Sequence, residues 1–140
     1  YTYRACALNW YTAETLTPWK AFDRTNTRYA DAGNFSSGNI GSTNSSFGTD
    51  TNYKGSYLGI DMGQPFVIDY YRIVSSGNNN RKPLYWKIYA TNNDACWNPT
   101  GGTSSTPCFN TTADYGWVQL DARYNESQYL DTTNFYVNKT

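Results

Sequence analysis

The sequence predicts an all-β protein, an antiparallel sandwich or barrel, on three observations. Aromatic residues make up 18% of its 140 positions, with 14 Tyr and 5 Trp. Such side chains suit a pleated, half-buried surface, whereas Leu, Met and Ala helix formers are scarce. The apolar segments are short, alternate with period two, and are separated by Gly, Pro, Asn and Ser turn signals. A chain of this length has room for one hydrophobic core, so residues 1–140 are read as one domain.

The elements follow in order. "YTYRACALNWYT" (1–12) alternates and reads as an opening strand. In "TAETLTPWKAFD", Pro18 argues against a long helix. Residues 33–56 are polar and Gly-rich, a long loop of the kind that is functional, glycosylated or mobile in a compact domain. Leu58, Ile60 and Met62 then share one face and Tyr57, Gly59 and Asp61 the other, which predicts a half-buried strand. Gly63-Gln64-Pro65 turns the chain. Ile68, Tyr71 and Ile73 break parity between 68 and 71, which places a bulge there. After the loop "SSGNNNRKP", "LYWKIYAT" is a strand with Leu84, Trp86, Ile88 and Ala90 on one face. "YGWVQLDA" and "TTNFYVNK" supply two more. No internal repeat or domain linker is visible.

Composition excludes several function classes. Eleven basic and eleven acidic residues cancel, leaving no electrostatic case for nucleic acid or an anionic membrane. No apolar run approaches the ~20 residues that insert into a bilayer. The chain has no His, which removes Ser-His-Asp and Cys-His nucleophile systems and the usual zinc sites. There is no phosphate-binding glycine motif. A glycosidase needs two carboxylates across a cleft, and Asp61 and Asp69, on or beside strands, read as structural. The expectation is a protein that is not an enzyme.

Cys96 and Cys108 flank "WNPTGGTSSTP", a loop short enough for a local disulfide. That leaves Cys6, either for an intermolecular bridge or as a buried free thiol. Asn-x-Ser/Thr sequons stand at Asn34, Asn44, Asn110, Asn125 and Asn138, with Asn98 excluded by Pro99. Asn34, Asn44 and Asn110 lie in segments without apolar periodicity, as glycosylated loops do. Beginning at Tyr1 without Met, the chain reads as a mature, processed fragment. An extracellular or cell-surface glycoprotein is expected.

The order of "PWKAFDRTNTRY" (18–29), "YLGIDMGQPFVIDYYRI" (57–73), "YWKIYATNNDACW" (85–97) and "WVQLD" (117–121) resembles the discoidin, or coagulation factor V/VIII C-type, domain family. The resemblance covers most of the chain. It implies a galactose-binding-like, jelly-roll β-sandwich without enzymatic activity, whose end loops bind glycans, phospholipid head groups or proteins. It also implies a structural calcium at the "AFD" turn, with oxygens from Asp23, Asn26 or Thr27. Two departures stand out. Arg24 replaces the family's Gly after that Asp, and a Cβ resists a left-handed turn while a cationic neighbour disfavours a bound cation; a capped turn without metal fits as well. The family's closing strand follows the stretch matching "TTNFYVNK", and this chain stops at Thr140 before one. A sandwich without it would leave unpaired backbone groups and an open groove. "YTYRACAL" itself resembles that closing strand, and equally an ordinary opening one.

Trp10, Tyr11, Asn79, Arg81 and Trp97, in loops or at strand ends, have the chemistry to stack on and hydrogen-bond a sugar. In so aromatic a chain, loop aromatics with no binding role are the simpler reading. Trp86, Tyr89 and Trp117 read as core. Two functions are expected. The first is a subunit of a fibre or coat, self-assembled with residues 1–12 donated to a neighbour's sheet. The alternative is a carbohydrate-binding adhesion module of the discoidin type from a larger extracellular protein.

Overall fold

The computed structural model describes residues 4–7, 18–22, 57–74, 82–98, 109–126 and 129–137. Among these the chain is all-β, as the composition predicts: strands paired antiparallel, joined by 3₁₀ turns, with no α-helix. The strands are β1 (Arg4–Ala7), β2 (Leu58–Asp61), β3 (Tyr70–Tyr71), β4 (Trp86–Ala90), β5 (Val118–Arg123) and β6 (Phe135–Tyr136). They form the ladders β1–β2, β3–β6 and β4–β5. The chain divides into two compact units, residues 1–65 with 92–117 and residues 66–91 with 118–140.

In the first unit the opening strand pairs within its own chain. Arg4 lies opposite Asp61, Ala5 opposite Ile60, Cys6 opposite Gly59 and Ala7 opposite Leu58. Opposite charges facing each other across a ladder support that register: Arg4 Nε donates to Asp61 Oδ2 at 2.8 Å, and Nη2 donates to the same oxygen. Asp61 Oδ1 accepts the Gly63 N–H at 2.8 Å, which starts the expected Gly-Gln-Pro turn. Gly63 has φ 70°, the left-handed region that glycine enters at least cost. Pro18–Ala21 is a single 3₁₀ turn.

β2 forms where the alternation places it, but neither side is wholly inward: Ile60 is half-buried, as are Gly59 and Asp61. Leu58 and Met62 are exposed, while Tyr57 packs on the core. The cause is Phe109, whose ring lies so close to Gly59 that a Cβ there would overlap it. A bare glycine admits a whole aromatic ring, and Asp61 on the same side is neutralised by Arg4. Cys6, Cys96 and Phe109 form the buried cluster, with Tyr57, Trp97, Tyr115 and Trp117 around it. Cys96 arrives on the 3₁₀ turn Asp94–Cys96, capped by Asn93, whose Oδ1 accepts the Ala95 N–H at 3.1 Å. Trp97 and Phe109 then bridge antiparallel, their rings edge-to-face at 4.8 Å.

The second unit is built on an aromatic trio. Trp86, Tyr129 and Phe135 are buried, with Tyr71, Ile73 and Ile88 against them. Ring centroids stand 5.1 Å apart for Trp86–Phe135, 5.3 Å for Tyr129–Phe135 and 5.5 Å for Trp86–Tyr129, all edge-to-face. Each such contact adds about 0.5–1.5 kcal/mol beyond area burial. The inward Trp86 and Ile88 agree with the parity of "LYWKIYAT", whereas Leu84 precedes β4 and is exposed. The bulge lies elsewhere than expected. Residues 62–69 are not in a strand and Ile68 is exposed, so the parity break at 68–71 marks a segment outside the ladder. Instead Ile88 pairs with Asp121 and Tyr89 with Gln119, which leaves Leu120 as the extra residue on β5.

Because the Phe109 ring occupies the space over Gly59, Gly59→Ala is expected to destabilise the protein by about 1–3 kcal/mol through overpacking. Chemical denaturation of the two proteins measures it, and equal midpoints would mean that the ring does not rest on this glycine.

Candidate functional site

Among the described residues Asp121 is a charged residue buried as a whole, at 3% exposure. Unpaired, such a carboxylate would cost several kcal/mol. β5 carries it inward opposite Ile88, and four strands supply its surroundings. Tyr71 on β3 donates its hydroxyl to Asp121 Oδ2 at 2.6 Å. Arg123 Nε donates to the same oxygen at 2.8 Å, and the Ala122 N–H to Oδ1 at 2.9 Å. Trp86 Nε1 on β4 donates to the Tyr71 hydroxyl at 2.6 Å, and Arg123 Nη2 reaches the Tyr136 carbonyl of β6 at 3.0 Å.

Burial works to raise the Asp121 pKa, but the Tyr71 and Arg123 hydrogen bonds outweigh it and hold the carboxyl below its ordinary 3.8. Burial, reinforced by the Asp121 hydrogen bond, pushes Tyr71 up to about 12. At neutral pH Asp121 is therefore an anion with its acceptors filled and Tyr71 a fixed donor. Neither is poised near neutrality, where a general acid or base works best. The arrangement acts as a tie between strands. Sequence reasoning passed over it; the signal was an Asp inside the apolar run of "WVQLDA".

Of the expected glycan-contact residues, Trp97 is described, and it is not an open platform. The Arg4 guanidinium lies 4.3 Å from its ring centroid and Phe109 packs edge-to-face against it. A sugar would have to displace an arginine already paired with Asp61. Trp10, Tyr11, Asn79 and Arg81 lie outside the described residues, as do Asp23, Asn26 and Thr27 of the expected calcium turn. Among the described residues no group of three or more acidic, Cys or His side chains is placed to hold a metal. Trp86 is buried and Trp117 packs on the first unit's core, donating Nε1 to the Asn110 carbonyl at 2.8 Å. The Tyr89 hydroxyl donates to Gln119 Oε1 at 3.2 Å.

Asn110 and Asn125 are exposed. Asn125 sits in the left-handed region at φ 58°, which Asn tolerates better than most residues. Asn110 Nδ2 donates to the Tyr115 hydroxyl at 3.2 Å. Asn34, Asn44 and Asn138 lie outside the described residues.

The cysteines correct the sequence expectation. Cys96 is a buried free thiol, so the local Cys96–Cys108 bridge does not form, and Cys6 is disulfide-bonded. Loop length favoured the local pair, but the 3₁₀ turn buries Cys96 against Phe109, and the β1–β2 ladder carries Cys6 into the same cluster. Cys108 lies outside the described residues.

The second unit also turns apolar side chains outward. Tyr70 and Tyr136 are directly opposed across β3–β6, with ring centroids 5.9 Å apart, and both are exposed. Val67 is 85% exposed, and Val74, Leu130 and Val118 also face solvent. No family model, curated protein or solved structure matches the chain.

Tyr71→Phe takes a donor from Asp121 and the acceptor from Trp86 Nε1, and is expected to cost about 1–3 kcal/mol in urea unfolding at neutral pH. A loss below a few tenths would remove the tie from the account. The pH dependence has a definite sign. Asp121 is more acidic folded than unfolded, so its contribution is present above the ordinary value of 3.8 and is lost as pH falls through the lowered folded value. Stability measured from neutral to acid pH should fall less steeply at the acid end for Asp121→Asn than for the native chain; identical slopes would contradict this.

Proposed function

We propose that the chain is a non-enzymatic subunit of an extracellular fibre or coat, assembled from copies of itself. We take its strands to form the galactose-binding-like β-sandwich that its motif order suggests. The observation that carries the assembly reading is the outward apolar surface of the second unit, the Tyr70–Tyr136 pair with Val67, Val74 and Leu130. Covering apolar surface is favourable by roughly 25 cal/mol per Å², and exposed apolar area rimmed by polar residues is the usual mark of a contact.

A second copy fits as the partner because 11 basic and 11 acidic residues cancel, and a net charge near zero favours self-association. The first unit exposes a different set, Phe22, Leu58 and Met62. A contact between unlike surfaces of successive copies continues as a filament wherever its rotation does not close a ring. Since β1 already pairs with β2 of its own chain, the proposed contact joins side-chain faces and does not require residues 1–12 to be donated. The disulfide at Cys6 and the five sequons support an extracellular setting. Among the described carboxylates, Asp61, Asp121 and Asp131 are each ion-paired, which supports a structural role for these three.

Light scattering over a concentration series, with negative-stain microscopy, tests the proposal. The native chain should grow beyond the mass of one copy, and Tyr136→Asp should weaken that growth at least about tenfold, or 1.4 kcal/mol. A monodisperse monomer at every concentration would overturn assembly, and glycan binding by that monomer would put the adhesion-module reading in its place.

A further inference from the structure

Two kinds of sulfur share one core. Cys6, in a disulfide, is 4% exposed, and Cys96, a free thiol, is 6% exposed. With Phe109 they make up the buried cluster of the first unit. One further contact links β1 to the residue that follows the Cys96 turn. Arg4, two residues before Cys6, stacks on Trp97, the neighbour of Cys96. Arg4 and Asp61, opposed at the end of the β1–β2 ladder, both act electrostatically on the Cys96 thiol.

We propose that Cys96 and the Cys6 disulfide form an exchange pair, giving the folded chain a second disulfide arrangement in which Cys6 is bonded to Cys96. Cys96 first loses its proton to solvent. Its thiolate sulfur attacks Cys6 Sγ, and a Cys6–Cys96 bond forms as the bond from Cys6 to its present partner breaks. The partner sulfur leaves as a thiolate and takes up a proton. One disulfide is lost and one gained, so neither oxidant nor reductant is needed.

The exchange relocates the free thiol. In the present arrangement it is enclosed with Phe109; in the second it belongs to the cysteine that Cys6 releases. Burial, with the charges of Asp61 and Asp94, pushes the Cys96 thiol up, which keeps its thiolate scarce at neutral pH and holds the present arrangement kinetically. The inference stands apart from the assembly reading, since it concerns bonds within one chain.

Disulfide mapping of the intact native protein tests it. Samples are held without added thiol near neutral pH and at about pH 9, where thiolate is more abundant. They are then quenched in acid, alkylated under denaturing conditions and mapped by mass spectrometry. At the start the alkyl label should sit on Cys96. With time the label should leave Cys96 and a Cys6–Cys96 cross-linked peptide should appear, about a hundredfold faster at the higher pH, following the thiolate fraction. Asp94→Asn, at an exposed position, should speed the neutral reaction several-fold by removing a like charge. Cys96→Ser, with no attacking sulfur, should keep one map at both pH values. A label that stays on Cys96 throughout the alkaline incubation would overturn the proposal. So would a cross-link that forms only when the protein is unfolded before quenching.

Discussion

The second unit depends on keeping one carboxylate charged and out of water. Asp121 can occupy its place because Tyr71, Arg123 and the Ala122 amide aim donors at it, and because Trp86 fixes the Tyr71 hydroxyl from behind. Those residues come from β3, β4 and β5, and Arg123 extends the chain of bonds to the β6 backbone. A set of strands two to six residues long would otherwise have little to fix its alignment. Hydrophobic packing alone tolerates sliding, since one aromatic ring fits nearly as well a few tenths of an ångström away. A buried anion does not, because displacing any donor exposes the full cost of its desolvation. The trio of Trp86, Tyr129 and Phe135 supplies cohesion, and the hydrogen-bonded chain supplies register.

The first unit solves a different problem with smaller means. Its ladder is two strands of four residues, too little to be stable alone. Gly59 lets Phe109 approach the ladder directly, and the same ring collects Trp97, Trp117 and Tyr57 around it. At the ladder's end Asp61 serves both the Arg4 guanidinium and the Gly63 turn. Burial works to raise its pKa, and those hydrogen bonds bring it below the ordinary value. One aspartate thus holds the strand and the start of the turn that leaves it.

Much of the secondary structure was legible in the sequence because period-two alternation reports extended backbone directly. β4 and β5 follow from "LYWKIYAT" and "YGWVQLDA", and the Gly63 turn from its residues. How β2 is buried was not legible, since hydropathy favoured Leu58 and Met62 over a glycine whose value lies in what it lacks. The disulfide was misread for a related reason: spacing along the chain ranks close pairs, whereas the β1–β2 ladder sets residues 4–7 beside 58–61 and carries Cys6 into the cluster that buries Cys96. The Asp121 tie left only a faint mark, an acid among apolar neighbours, and Tyr71 and Trp86, which complete it, lie far away along the chain. Of the residues suggested for sugar contact, Trp97 had the right chemistry, but its stacking partner is the chain's own Arg4.

The bulge at Leu120 sets where the chain tolerates a change in length. On one side of it Val118 and Gln119 pair with Ala90 and Tyr89; on the other, Asp121, Ala122 and Arg123 face Ile88, Lys87 and Trp86. A residue that already has no ladder partner can be lost or doubled there at small cost to either flank. An insertion three positions later would swing Arg123 to the opposite side of the sheet and strand Asp121 without its cation. Divergent versions of this chain are therefore expected to carry their gaps in β5 at the position of Leu120, and to keep the spacing from Asp121 to Arg123 fixed while the residues around it drift.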